Sequence, residues 1–83
     1  MDKKLYDKVM SGRSDNNIKF TSLRNLIIDL GFEFSHGEGS HEFFYNKEIG
    51  EIMNIQDKDG KAKHYQVRQL RKIISKHGLK EGE

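Results

Sequence analysis

The chain has 83 residues, no cysteine, 34% hydrophobic and 34% charged residues, and a formal net charge of +2. That length gives one small domain with a thin core and leaves no room for a nucleotide-binding fold beside a separate substrate domain. Disulfides, thiolate-ligated zinc and thiol nucleophiles are excluded, no run approaches the roughly 18 apolar residues of a membrane span, and Met1-Asp2-Lys3-Lys4 lacks the apolar stretch of a signal peptide, so a cytoplasmic protein without membrane contact is expected.

Residues 2–11 place Leu5, Val9 and Met10 at helical spacing with Tyr6 beside them, which predicts a short N-terminal helix. Ser11 to Asn17 is polar and turn-prone and reads as a linker. Thr21 is the expected N-cap of the next helix, because its hydroxyl can accept a free backbone N–H. Behind it Leu23, Leu26, Ile27 and Leu30 recur at i, i+3, i+4 and i+7, the buried stripe of an amphipathic helix over 21–30, and Gly31 is its stop. From Phe32 the period changes to two: Phe32 and Phe34 alternate with Glu33 and Ser35. Gly37-Glu38-Gly39 is read as the turn, 40–45 as a second strand rich in aromatics, Asn46 to Gly50 as another turn, and 51–56 as a third strand. Asp59-Gly60 closes that strand. Residues 64–77 form the second long helix, with Val67, Leu70, Ile73 and Ile74 buried, Gly78 as stop and Leu79 folded back as in a Schellman cap.

The expected class is therefore α+β: a short helix, then α-β-β-β-α, with a three-stranded antiparallel sheet and both long helices on one face. Residues 1–17 are taken as an extension, 18–79 as the domain and 80–83 as a frayed tail. The other face of the sheet is left for function.

Charge is segregated. Residues 29–57 carry seven acids and one base, whereas 58–80 carry eight bases and one acid. A basic stretch of that density suits a polyanion, since each neutralised phosphate releases counterions; it also serves as an ordinary solvated helix face. Among chemistry-bearing residues, Gly39-Ser40-His41 opens the central strand. Gly39 permits close approach of backbone or phosphate, and imidazole is the side chain that changes charge near neutrality, although a lone histidine on a strand is more often structural. His36 and His41 with Glu38 or Glu42 could bind zinc across the turn. Ser40 and His41 do not form a hydrolase pair, because neighbours on a strand point to opposite faces. Phe44 is expected in the core, while Phe43 and Tyr45 share the parity of His41 and could stack on bases if that face is open, a packed aromatic being the commoner reading for Phe43.

A further pattern then emerges. An amphipathic helix ends in Leu30-Gly31-Phe32; a strand, Gly39-Ser40-His41-x-x-Phe44 and another strand follow; a basic helix closes on His77-Gly78-Leu79. In this order residues 18–79 resemble the HicA toxins of bacterial toxin–antitoxin systems, and the stretch from Tyr65 to Ile74 is similar to one branch of that family. The resemblance implies a double-stranded-RNA-binding-domain-like fold and a ribosome-independent mRNA interferase, acting on single-stranded mRNA without metal or cofactor. His41 would be its catalytic histidine, with Gly39 and Ser40 shaping the approach. Lys61, Lys63, Arg68, Arg71 and Lys72 would hold the RNA backbone. The implied partner is a HicB-like antitoxin, and the free protein would be a monomer or weak dimer. Two features depart from the family pattern. Glu42 stands where relatives often carry His, Arg or an apolar residue, and an acid beside the catalytic strand repels phosphate. Residues 1–17 extend beyond the minimal domain, with packing on the sheet, dimerisation or antitoxin contact as their alternatives. Two rival readings are an RNA-binding module without catalysis and an interaction protein, either an inactive homologue that binds the antitoxin or a metal-linked dimer.

Overall fold

The computed structural model describes residues 1–80, so the expected frayed tail lies, from residue 81 on, outside the described residues. Six elements follow one another: α1 (Lys3–Ser11), α2 (Phe20–Asp29), β1 (Glu33–Glu38), β2 (His41–Asn46), β3 (Glu51–Gln56) and α3 (His64–His77). The strands form one antiparallel sheet in the order β1-β2-β3. This is an α+β fold, the expected α-β-β-β-α order with one short helix in front. Among the described residues no helix is long and apolar enough to cross a membrane.

The core lies between the helices and one face of the sheet. Phe44, Met53 and Ile55 from the strands meet Leu23, Leu26 and Ile27 of α2 and Val67, Leu70 and Ile74 of α3, all fully or almost fully buried. These are the apolar stripes read from helical spacing. Burial of apolar surface on this scale is the main force holding a domain of this size together. Gly78 takes a left-handed φ of +62°, and the Leu79 N–H reaches the Ile74 carbonyl at 3.1 Å, so α3 ends in the expected Schellman geometry. Gly31 is fixed twice over. Its φ is +98°, and a Cβ there would meet the side-chain nitrogen of buried Asn46 at 3.2 Å.

Two local expectations are corrected. Thr21 is not the N-cap: α2 begins at Phe20, and Lys19 occupies the cap position with no side-chain hydrogen bond. The entry is set instead by a short antiparallel pairing of 18–20 with 60–62. The Phe20 N–H donates to the Gly60 carbonyl and the Ala62 N–H to the Ile18 carbonyl, each at 2.9 Å. That pairing drives Ile18 and Phe20 into the core. The turn after β1 is not 37–39. The strand continues through Gly37 and Glu38, Glu38 pairs with His41, and a two-residue loop of Gly39 and Ser40 joins the strands. Only Gly39 of the two has positive φ (+62°), the signature of a II′ hairpin turn. A Cβ at Gly39 would meet nothing within 4 Å, so backbone conformation and not close approach demands glycine here. The first helix lies against α2 and α3, and Val9 is part of the common core.

The β1–β2 ladder also contains a bulge. Phe34 pairs with Phe44, but His36 pairs with Phe43, so Ser35 is an extra residue on β1. Beyond it the alternation of β1 is inverted relative to simple parity.

Candidate functional site

The bulge and the two registers define the sheet face that carries no helix. Its three rows, read across β1, β2 and β3, are Glu38, His41 and Gln56; His36, Phe43 and Asn54; and Glu33, Tyr45 and Ile52. Without the extra residue at Ser35, His36 and Glu38 would point to the helices.

His41 sits half-buried at one end of this face. Its Nδ1 lies 2.9 Å from Asn54 Oδ1, a diagonal neighbour on β3. A carboxamide oxygen can only accept, so Nδ1 carries the proton and the lone pair of the neutral ring is on Nε2. The next side chain along β2 on this face, Phe43, is covered by the His36 ring, stacked at 4.4 Å between centroids and 6° between planes. His36 Nδ1 is 3.1 Å from Ser35 Oγ. Tyr45 and Ile52 are the exposed apolar groups farther along the same face. The expected division of the aromatics therefore holds: Phe44 is in the core, and Phe43 and Tyr45 are on the face of His41.

Ser40 lies in the hairpin loop, where its Oγ accepts from Gln56 Nε2 at 2.9 Å. Gln56 is also bound through its backbone. Gln66 Oε1, nearly fully buried at the start of α3, accepts from the Gln56 N–H at 3.1 Å and the Lys63 N–H at 3.3 Å. This one side chain joins the His41 end of the sheet to α3 and satisfies two part-buried donors.

Glu42 is not beside His41. It projects to the helix side, where Arg24 Nε donates to its Oε1 at 2.8 Å. The acid feared for its repulsion of phosphate is on the opposite face and paired.

The basic residues divide into two groups. Lys61 and Lys63 are in the segment that leaves β3 at its His41 end, and Lys63 Nζ lies 5.9 Å from the centre of the Tyr65 ring. Arg68 and Lys72 are exposed on α3. Arg71 is committed elsewhere: Nη1 and Nη2 donate to the two carboxylate oxygens of Asp15 at 2.8 and 2.9 Å, and Nη1 also reaches the Val9 carbonyl at 2.9 Å. The Arg71 hydrogen bonds, with the fields of Arg68 and His64, hold the Asp15 carboxyl below the ordinary carboxylate value. A linker carboxylate thus sits within the basic face of α3. Among the described residues no group of three His, Asp or Glu side chains is arranged to hold a metal ion.

Sequence reasoning missed Asn54, Gln66, Arg24 and Asp15. For Asn54 a signal existed, since a four-residue loop between 46 and 51 places position 54 opposite 43 and diagonal to 41. Compared with known proteins, the chain matches no family model, no curated protein and no solved structure.

Proposed function

We propose that this chain is an endoribonuclease of the HicA kind, the toxin of a toxin–antitoxin pair, with His41 as its acid–base residue. One observation carries the reading: a histidine on the helix-free face of the sheet, with Nδ1 held by Asn54 and Nε2 left for chemistry. RNA supplies its own nucleophile. A base removes the 2′-hydroxyl proton, the 2′-oxygen bonds to phosphorus, and the bond to the 5′-oxygen breaks as that oxygen takes up a proton. The products are a 2′,3′-cyclic phosphate and a 5′-hydroxyl. An imidazole in the Nδ1–H tautomer is suited to the first proton transfer, or when protonated to the last, and general acid–base catalysis is worth about 10²–10⁴-fold. Lys61 and Lys63, with Arg68 and Lys72, are assigned to the RNA backbone; Arg71 is assigned to structure. The Gly39-Ser40 turn sets the start of β2 and so the place of His41. A HicB-like protein is the proposed partner.

A second reading, an RNA-binding module without catalysis, draws on the exposed Tyr45 ring of the same face, which suits base stacking. Incubation with a long single-stranded RNA in EDTA separates the two. Wild-type protein is expected to cut the RNA, and His41→Ala, folded by circular dichroism, to leave it intact. Cleavage by His41→Ala at the wild-type rate would overturn the assignment; intact RNA with both proteins would favour the binding module.

A further inference from the structure

Backbone pairing places three lysines side by side. Lys61 is paired with Lys58 across the Asp59-Gly60 turn and with Lys19 in the short bridge that opens α2. The Lys58 and Lys61 backbones exchange both hydrogen bonds at 3.0 Å, and both turn residues have positive φ, +52° and +85°, as a I′ turn requires. Residues paired across a ladder project to the same side, with Cα atoms about 4.5–5.5 Å apart. Lys19, Lys61 and Lys58 therefore form one row. Ile18, Phe20 and Ala62, which alternate with two of them, are buried, and all three lysines are exposed. None of the three has an ion-pair partner among the described residues. Like charges directly opposite one another across a ladder destabilise it, so the row costs the fold something that it does not recover internally.

We propose that this row is a binding site for the phosphate backbone of single-stranded RNA, and that Lys19 and Lys58 act there together with Lys61. A chain of phosphates supplies successive negative charges along a line, the complement of a line of ammonium groups. The row is continuous with the histidine face: Gln56 pairs with His41, and Lys58 follows Gln56 by two residues, at most about 7 Å of chain. The hollow on one side of Lys61 carries Lys63, His64 and half-exposed Tyr65, which offers a ring for a base. Lys8, whose ammonium group donates to the Asn17 carbonyl at 3.0 Å, lines the hollow on the other side. Lys8 and Lys19, both distant in sequence from Gly39-Ser40-His41, thereby join the proposed binding surface. The inference rests on the RNA-directed reading but not on cleavage.

The test uses a fluorescent 2′-O-methyl oligonucleotide, which lacks the 2′-hydroxyl and cannot be cut, in titrations at several salt concentrations. The protein carrying Lys19→Gln, Lys58→Gln and Lys61→Gln is compared with one carrying Lys3→Gln, Lys4→Gln and Lys80→Gln, the same charge change elsewhere. For single strands log K falls with log salt by about 0.7 per phosphate contact. The row variant should bind more weakly and lose about 2 from that slope, while its melting temperature holds or rises as the repulsion is relieved. The comparison variant should keep most of its slope. An unchanged slope in the row variant, or equal losses in the two variants, would overturn the proposal. So would loss of binding to polyglutamate with RNA binding intact, which would assign the row to an acidic protein. Tight binding of the probe by a wild-type protein that leaves natural RNA uncut would sink the cleavage reading and support the row. A wild-type protein that binds no RNA would overturn both.

Discussion

The ring of His41 is oriented by a residue that carries no charge and draws no attention in the sequence. Asn54 Oδ1 accepts from Nδ1, so replacing Asn54 with Leu removes the acceptor while keeping the strand position filled. On the proposed reading the cleavage rate should fall by up to about 10²-fold, as part of an acid–base contribution would be lost; initial rates on single-stranded RNA, alongside melting curves that stay near wild type, would check this. At the turn, Gly39→Ala forces a Cβ into a left-handed conformation with open space around it, at a cost of about 1–2 kcal/mol, readable by urea titration. The place of His41 at the start of the central strand was legible from its Gly-Ser-His setting. Its neighbours were not, because their roles arise across strands, and the side to which Glu42 points depends on the pairing register rather than on adjacency to His41.

At the level of elements, periodicity decided most of what was readable. The bounds of β3 and α3 follow from the chain's own alternation and stop signals, whereas the start of α2 does not, because the partner that fixes it is forty residues away at Gly60. The bulge at Ser35 was hidden for a similar reason: Phe32 to Ser35 alternates regularly, and only pairing with β2 reveals the surplus residue. The first helix is tied to the rest by side chains that no local pattern links. Arg71 grips both Asp15 and the Val9 carbonyl with little exposure on either side. Arg71→Ala strands a carboxylate and a carbonyl, and should cost about 2 kcal/mol, lowering Tm by roughly 10 °C for a domain of this size. Thermal melts would show whether α1 is integral, as its buried Val9 implies, or an appendage whose loosening leaves the main transition in place.

Across the whole molecule two carboxylates fasten α3. Asp15 secures it to the linker, and Glu51 secures its C-terminal end to β3 through His77 Nε2 at 2.8 Å, with Lys76 at 3.7 Å. Both carboxyls are held below their ordinary values, chiefly by hydrogen bonds from Arg71 and His77 respectively. The unfolded chain therefore binds more protons than the folded one in acid. The stabilisation is fully present above the ordinary carboxylate range and is lost as pH falls through that range toward the lowered folded values. A series of melts from about pH 5 down to pH 2 should show Tm falling, and Asp15→Asn should flatten the slope; equal slopes would remove Asp15 from the account. The sheet's two surfaces have separate tasks, one closed by helices and one open, and β1 serves both by a change of phase. A strand is a two-beat rhythm, and Ser35 is one added beat. Deleting it would leave every charge in the chain yet turn over everything downstream on that edge: His36 and Glu38 would swing inward, Gly37 outward, and Phe43 would lose its cover. In this molecule the surface around His41 is written in counting as much as in chemistry.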